Sequence, residues 1–345
     1  HVIHPFDLEP GQIEPTKDQL SFLKSLLRHM IGDTSVSDSD ILDSVIIESI
    51  ISAYQRAQLR DEGRKVPRLR DVKDDLSTYV DPKKNDLVMR EAHVAAHKLQ
   101  AWCEDGMFAN LFDRYTTVNM NTDWLYFNVE QLKDDPKLET AMSFLIAYAT
   151  TRRSGGGKRC INVFDECWSL FDTPCLHDAV LQLFRTARKR DACVWGISQA
   201  VEDFTGTPEK PNPIGGPILA TTSLRMIGRQ KGNMDVLRDF LHLSEAAIQK
   251  IKSMGSTEKG KQSEFLICVG ERSETTHSLI IQLPPLDSWQ ATSYPRERTY
   301  RKWWLKSNNV IDFAVAMKML AEKFPNGLAY LPQLAEERSG EVNKD

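Results

Sequence analysis

The sequence predicts an α/β protein, a mostly parallel sheet with helices on both faces, interrupted by an all-helical insertion. Three observations predict it. Between residues 118 and 300, short apolar runs alternate with amphipathic stretches at the spacing of parallel strands joined by right-handed crossovers. Between residues 16 and 117 the apolar residues recur at helical spacing, with little strand signal. Finally, "INVFDE" (161 to 166) is a mostly apolar strand that ends on two acids. In open α/β sheets the carboxyl ends of the strands are where ligands bind.

Each element follows from local chemistry. Residues 1 to 15, "HVIHPFDLEPGQIEP", read as an extended, proline-containing segment. Thr16 with Gln19 forms a capping box, and Leu20, Leu23, Leu26, Leu27 and Met30 follow at helical spacing. Ile41, Leu42, Val45, Ile46 and Ile50 start a second helix that runs to about Arg60. "RKVPRLRDVKDDLSTYV" gives a short third helix, and Asp86 to Glu104 a fourth. "WLYFNVEQL" (124 to 132) then reads as a strand, Pro136 to Thr151 as a helix, and Cys160 to Phe164 as the strand that meets the acids. Thr173 caps a helix with Pro174 at its first position. Leu176, Val180, Leu181, Leu183 and Phe184 line that helix. "ACVWGIS" (192 to 198) is the next strand. "PILATTSLRMIG" reads as a strand or strand pair, Met234 to Leu241 and Ser244 to Met254 as helices, and "SEFLICVG" with "HSLIIQL" as an antiparallel pair closing the sheet edge. The tail beyond about 300 is helical, then charged.

The bulk numbers narrow the function. The 345 residues are 41% hydrophobic and 27% charged, with 44 basic against 48 acidic side chains and a net charge of -4. That balance speaks against a surface that coats nucleic acid throughout, and leaves local basic patches possible. The six cysteines (103, 160, 167, 175, 193 and 268) include no CxxC pair and read as reduced thiols of a cytoplasmic protein. No apolar run approaches the roughly 20 residues that span a bilayer.

Asp165 and Glu166 fit a Mg2+-nucleotide site. The first acid would hold Mg2+ through water, and the second would orient the water that attacks the γ-phosphate in line. An acidic turn after a strand fits the same two residues. One crossover later, Ser198 and Gln199 end the neighbouring strand at the same level, where an amide can sense the γ-phosphate or hold the lytic water. Between the strands lies "FRTARKRD", with Arg185, Arg188, Lys189 and Arg190. Such a cluster suits a helix C-terminus through the helix dipole. It equally suits an arginine finger given to a neighbouring subunit.

A nucleotide site of this kind also needs a glycine-rich phosphate loop that leaves a strand and opens a helix. "GSTEKGKQ" (255 to 262) has the Gly-x4-Gly-Lys spacing but carries Gln262 where Ser or Thr should ligate Mg2+. It also follows a helix and precedes a strand. "SGGGKR" feeds into a strand and fails likewise. The phosphate loop is therefore expected upstream of His1.

Taken in order, these motifs resemble the C-terminal motor domain of the type IV secretion and conjugation ATPases of the VirB/TraC kind. "IHPFDL" (3 to 8) resembles the family's Ile-Asn-Pro-Phe/Leu segment, and residues 16 to 117 its helical insertion. "GMFANLFD" (106 to 113) resembles the Gly-x4-Leu-Phe signature, "VFDECW" the strand ending in Asp-Glu-x-Trp, and "RTARKRDACVWGISQ" the Arg-Lys followed by Thr-Gln. "LPPLDSWQATSYPRE" (283 to 297) resembles the closing segment. The departures are His4 for Asn, Ser198 for Thr, and an extra helical tail. The tail and the "EKPNPIGGP" insertion point to the type IVB branch of IcmB/DotO and TraU.

The resemblance implies a RecA-like P-loop NTPase core lacking its phosphate-loop unit, with ATP and Mg2+ as cofactors. Residues 1-15 and 118-300 would form the core, 16-117 the helical insertion and 301-345 a helical tail. Asp165 (Mg2+ through water) and Glu166 would be the metal and catalytic acids, Gln199 the sensor and Arg188 the finger, with Arg185 and Ser198 beside the nucleotide. The protein would work as a homo-oligomer, a hexamer, at the cytoplasmic face of the bacterial inner membrane. Its partners would be other secretion-system ATPases and inner-membrane complex components. Two alternatives stand beside this. One is a DNA translocase of the HerA/FtsK or coupling-protein type, using Arg64, Lys65, Arg68 and Arg70. The other is a non-catalytic platform that docks other ATPases.

Overall fold

The structure, a computed structural model, describes all residues except 1, 10, 33–38, 121, 130, 131, 133, 155–158, 168–175, 208–210, 231, 233, 256–261, 271, 309–311 and 329–345. The chain divides into two compact units. The first is His1–Gln199 with Asn212–Ile218, and the second is Ala200–Pro211 with Leu219–Asp345.

In the first unit, α1 (Lys17–Ile31), α2 (Ser39–Gln58), α3 (Leu69–Ser77) and α4 (Asp86–Leu99) pack on one another. Their apolar stripes lie inward: Leu23, Leu26, Leu27 and Met30 on α1 and Val45, Ile46, Ile50 and Tyr54 on α2 are all fully buried. A 3-10 turn, Gln100–Trp102, and a short α5 (Ala109–Phe112) close the block. The Trp102 ring sits between Phe108 and Phe112, at 4.5 and 5.0 Å, and its indole N–H donates to the Met30 carbonyl at 3.2 Å. The glycine of the "GMFANLFD" signature is required by this turn. A Cβ on Gly106 would lie 2.3 Å from the Gln100 carbonyl oxygen.

Thr16 is the N-cap of α1 and accepts from the Gln19 N–H at 3.2 Å. The expected capping box is only half formed. The Gln19 side chain turns away from the cap and donates to the Asp7 carbonyl at 3.0 Å. The N-terminal segment is stitched to the block by several such bonds. Tyr54 donates to the Phe6 carbonyl at 2.6 Å, Arg152 to the Asp7 carbonyl at 2.6 Å, and Val2 N–H to Thr117 Oγ1 at 2.9 Å.

The sheet elements follow. The strand expected at 124 to 132 does not form among the described residues 122 to 129. That stretch has alternating exposure, but no ladder partner takes up its backbone, and Trp124 and Tyr126 stand 93% and 85% exposed. Arg153, near the end of α6 (Pro136–Ser154), donates instead to the Met120 and Thr122 carbonyls. β1 (Cys160–Phe164) and β2 (Ala192–Gly196) pair in parallel with Phe164 opposite Gly196, joined through α7 (His177–Thr186). The Thr173 cap and Pro174 lie outside the described residues. α6 packs on β1 and on α7, and the Phe184 ring of α7 lies under Gly196. On the opposite face of the pair Ile161, Val163, Trp195 and Ile197 are exposed.

In the second unit, the segment read as a strand or strand pair from 216 splits into α9 (Gly215–Thr221), which begins within the first unit, and β3 (Leu224–Ile227). α8 (Glu202–Thr205) precedes them. Asn212 Oδ1 accepts from Ile214 and Gly215 N–H, which caps the turn and starts a helix before Pro217. β3, β4 (Ser263–Val269) and β5 (Thr275–Ile281) form an antiparallel sheet in that order. α10 (Met234–Leu241) and α11 (Glu245–Ser253) bury Leu237, Leu241, Ile248 and Ile251 against Leu266 and Cys268. α12 (Pro285–Ala291), α13 (Pro295–Ser307) and α14 (Phe313–Lys323) form a separate cluster around Trp289, Trp304, Met317 and Phe324. Among the described residues no helix is long and apolar enough to cross a membrane.

Candidate functional site

The parallel register decides what meets at the strand ends. The ladder continues past the strands: Ile197 N–H donates to the Phe164 carbonyl at 2.9 Å, and Cys167 N–H to the Ile197 carbonyl at 3.0 Å. These two bonds hold the turn after β1 and the turn after β2 at one height. Asp165 and Gln199 are exposed there, and Glu166 and Ser198 are half-buried. Asp165 Oδ1 accepts from the Glu166 N–H at 3.1 Å. Glu166 has a left-handed backbone (φ 53°), a conformation a residue with a Cβ adopts at a cost. Across the gap between the strands, the Gln199 side-chain amide Nε2 donates to Glu166 Oε1 at 2.6 Å.

The structure thus brings Asp165, Glu166, Ser198 and Gln199 to one end of the parallel pair. It places Arg185 and Arg188 at the other. Arg185 lies in the last turn of α7, and Arg188 in the 3-10 turn Ala187–Arg190 that leads into β2. Both are exposed. From Ala192 to Gln199, at about 3.3 Å per residue, is roughly 20 Å, too far for either guanidinium to reach the acids of its own chain. Two neighbours of Arg188 have local tasks. Arg190 donates to the Thr151 carbonyl at 2.8 Å, and Asp191, also left-handed, pairs with Arg159 at 3.0 Å.

Two supporting residues carried little sequence signal. Asn162, buried in the middle of β1, donates to Ser154 Oγ at 2.9 Å and so ties the strand to the end of α6. Its polar side chain inside an apolar run was the one visible hint. Cys167, buried, packs under the end of β2, where a Cβ on Gly196 would lie 3.3 Å from its Sγ.

The donor set suits a hydrated Mg2+. This ion keeps several waters and takes one or two carboxylates together with substrate phosphates. Among the described residues no group of three or more His, Cys, Asp or Glu could cage a metal by protein ligands alone. Asp165 offers one exposed carboxylate at a strand end, which is the simpler arrangement. The two glycine-rich stretches fall largely outside the described residues. Their flanks are as the sequence indicated: 255–262 lies between α11 and β4, and 155–158 between α6 and β1.

The backbone as a whole decides the architecture. The chain has the fold of VirB4. It superposes on the solved structure of VirB4 of Thermoanaerobacter pseudethanolicus with a TM-score of 0.58 over 86% of this chain and 75% of that one, at 18% identity. A weaker likeness, TM-score 0.35 at 11% identity, is to the bacterial conjugative coupling protein TrwBdeltaN70, over 81% of this chain and 66% of that one. No protein-family model and no curated protein matches the sequence. The fold it shares with VirB4 is of the α/β class that the motif order implied, with the helical block ahead of the parallel pair.

Proposed function

We propose that the protein serves in an ATP-hydrolysing motor of a bacterial type IV secretion or conjugation system. One observation carries the reading: an acid pair ends a parallel strand, and the neighbouring strand's glutamine meets the second acid at 2.6 Å. The VirB4 fold supports it.

In this reading the bound Mg2+ and nucleotide supply a polarised γ-phosphate. Asp165 holds the ion's water shell. Glu166 orients the attacking water for in-line displacement and takes up its proton. Ser198 and Gln199 face the same end of the sheet. Arg188 serves a neighbouring copy, because its own acids lie at the far end of the strands. A homo-oligomer, a hexamer with each site between two subunits, satisfies that geometry. Docking to other secretion ATPases at the cytoplasmic face of the inner membrane follows from the same reading.

The basic residues invoked for a DNA translocase are engaged within the chain. Arg70 pairs with Asp113 at 2.6 Å, Arg64 and Arg68 lie over the Tyr115 ring, and Lys65 donates to the Gln58 carbonyl. No observation favours the DNA reading or the inert platform.

The test is Glu166→Gln in the full-length protein. ATP binding is retained and turnover falls about 10²- to 10⁴-fold. Unchanged turnover sinks the assignment.

A further inference from the structure

On the ATPase reading, Gln199 could serve the nucleotide directly, as a γ-phosphate sensor or a holder of the lytic water. The geometry points elsewhere. We propose that Gln199 is the positioning residue of Glu166, and that it acts on turnover through that carboxylate and not through the phosphate.

Three observations converge. First, Gln199 Nε2 donates to Glu166 Oε1 at 2.6 Å, a short bond to an acceptor-only group, as charge-assisted bonds are. Second, the meeting is imposed by the backbone. The ladder bonds from Ile197 N–H to the Phe164 carbonyl and from Cys167 N–H to the Ile197 carbonyl fix the two turns at one height. The side chains are thus brought together before any rotamer is chosen. Third, Glu166 is left-handed at φ 53°. An αL residue sends its side chain in a direction that the preceding strand would not. Here that direction is across to the end of β2. The strained turn and the amide therefore serve one arrangement.

The chemical consequence concerns the carboxylate plane. A terminal carboxylate torsion is broad and nearly two-fold, so an unheld Glu presents its lone pairs over a wide range. Pinning one oxygen to the Gln199 amide sets that plane, and with it the lone-pair direction offered to water. Misplacing a reacting group by about 1 Å costs on the order of 10²-fold in rate. Loss of the Gln199 amide is accordingly expected to lower kcat by about that factor and leave ATP affinity alone.

The experiment uses the full-length protein with four variants: Gln199→Ala, the isosteric Gln199→Glu, Glu166→Gln, and the double variant Gln199→Ala with Glu166→Gln. Folding is checked by thermal unfolding. The expected result has three parts. Gln199→Ala and Gln199→Glu each lower kcat about 100-fold with KM for ATP unchanged. The double variant turns over no more slowly than Glu166→Gln alone, since a residue that acts through another adds nothing once that other is gone. It also binds ATP as tightly as Glu166→Gln does. Weaker ATP binding by the double variant places Gln199 on the γ-phosphate and overturns the proposal. Multiplied losses, or an unchanged kcat in Gln199→Ala, overturn it too. If Glu166→Gln itself keeps full turnover, the ATPase reading falls first and takes the proposal with it.

Discussion

Two acidic sites in the same unit are built in opposite ways. Asp113, at the end of the helical block, is 1% exposed. Its carboxylate accepts from the Arg70 N–H at 3.1 Å, from the Arg70 guanidinium at 2.6 Å and from the Glu104 N–H at 3.0 Å. Every lone pair that matters is spoken for by the protein. Asp165, at the end of β1, is exposed and accepts the amide of its own neighbour. The same side chain is a structural clamp in one place and, on the proposed reading, an ion ligand in the other. What distinguishes them is how much of the carboxylate the fold itself consumes. An aspartate satisfied by protein holds the fold together, and one left facing water at a strand end is available to an ion.

That contrast predicts a clean separation of effects. Glu166→Gln, the largest, removes turnover about 10²- to 10⁴-fold while its unfolding midpoint moves little, because the amide keeps the shape of the half-buried side chain and an oxygen to accept from Gln199. Asp113→Ala does the reverse. Removing one partner of a buried ion pair costs about 3–5 kcal/mol, and the partly exposed Arg70 puts this case near the lower figure. Urea unfolding of the two variants beside the parent checks both. Equal destabilisation by the two substitutions would break the comparison.

Smaller effects sharpen it. Gly106→Ala forces a Cβ against a backbone carbonyl that has no freedom to retreat, and is expected to cost about 1–3 kcal/mol in the same assay. Asp7 gives a pH signature. Burial pushes its carboxyl up, but hydrogen bonds from His4 and Thr116, aided by the charges of His4 and Arg64, outweigh burial and hold it below the ordinary value. A carboxyl depressed in the fold stabilises above its unfolded value and loses that contribution as pH falls through the folded one. The parent should therefore lose stability on acidification below about pH 4. Asp7→Asn should flatten that limb when unfolding is followed from pH 7 downward.

The sequence made some of these features readable and hid others for identifiable reasons. The helices of the first block were legible because their apolar stripes recur at 3.6 residues and pack on one another within about 100 residues of chain. Met234–Leu241 was legible for the same reason. β1 and β2 showed as apolar runs, and their parallel pairing followed from the helix between them. The stretch at 124 to 132 has strand composition but no pairing partner among the described residues, and composition cannot report a partner. Helix α9 was misread because the signal that starts it is a single asparagine carbonyl capping two amides, not a periodicity. At the site, the acids and the glutamine were visible as strand ends. Their contact was not, because it depends on the left-handed turn at Glu166, and a glutamate gives no sign of positive φ.

The smallest expected effect on the fold belongs to Arg188. It lies exposed in the turn before β2, so Arg188→Ala should shift the unfolding free energy by less than about 0.5 kcal/mol. Its effect on turnover, if it serves a neighbouring subunit, should be as large as that of Glu166→Gln. The geometry allows a decisive mixture. Each site then takes its acid from one subunit and its arginine from the next. In a mixed oligomer of Glu166→Gln and Arg188→Ala chains, a site becomes whole whenever an Arg188→Ala chain supplies the acid and a Glu166→Gln chain the arginine. For random mixing in a ring with head-to-tail contacts that is about a quarter of the interfaces. Two preparations, each inactive alone, should regain a measurable fraction of the parent's ATP turnover when unfolded and reassembled together. If the mixture stays as inactive as its parts, Arg188 does not complete a neighbour's site. The roughly 20 Å between it and its own acids then leaves the cluster as a solvated cap at the end of α7.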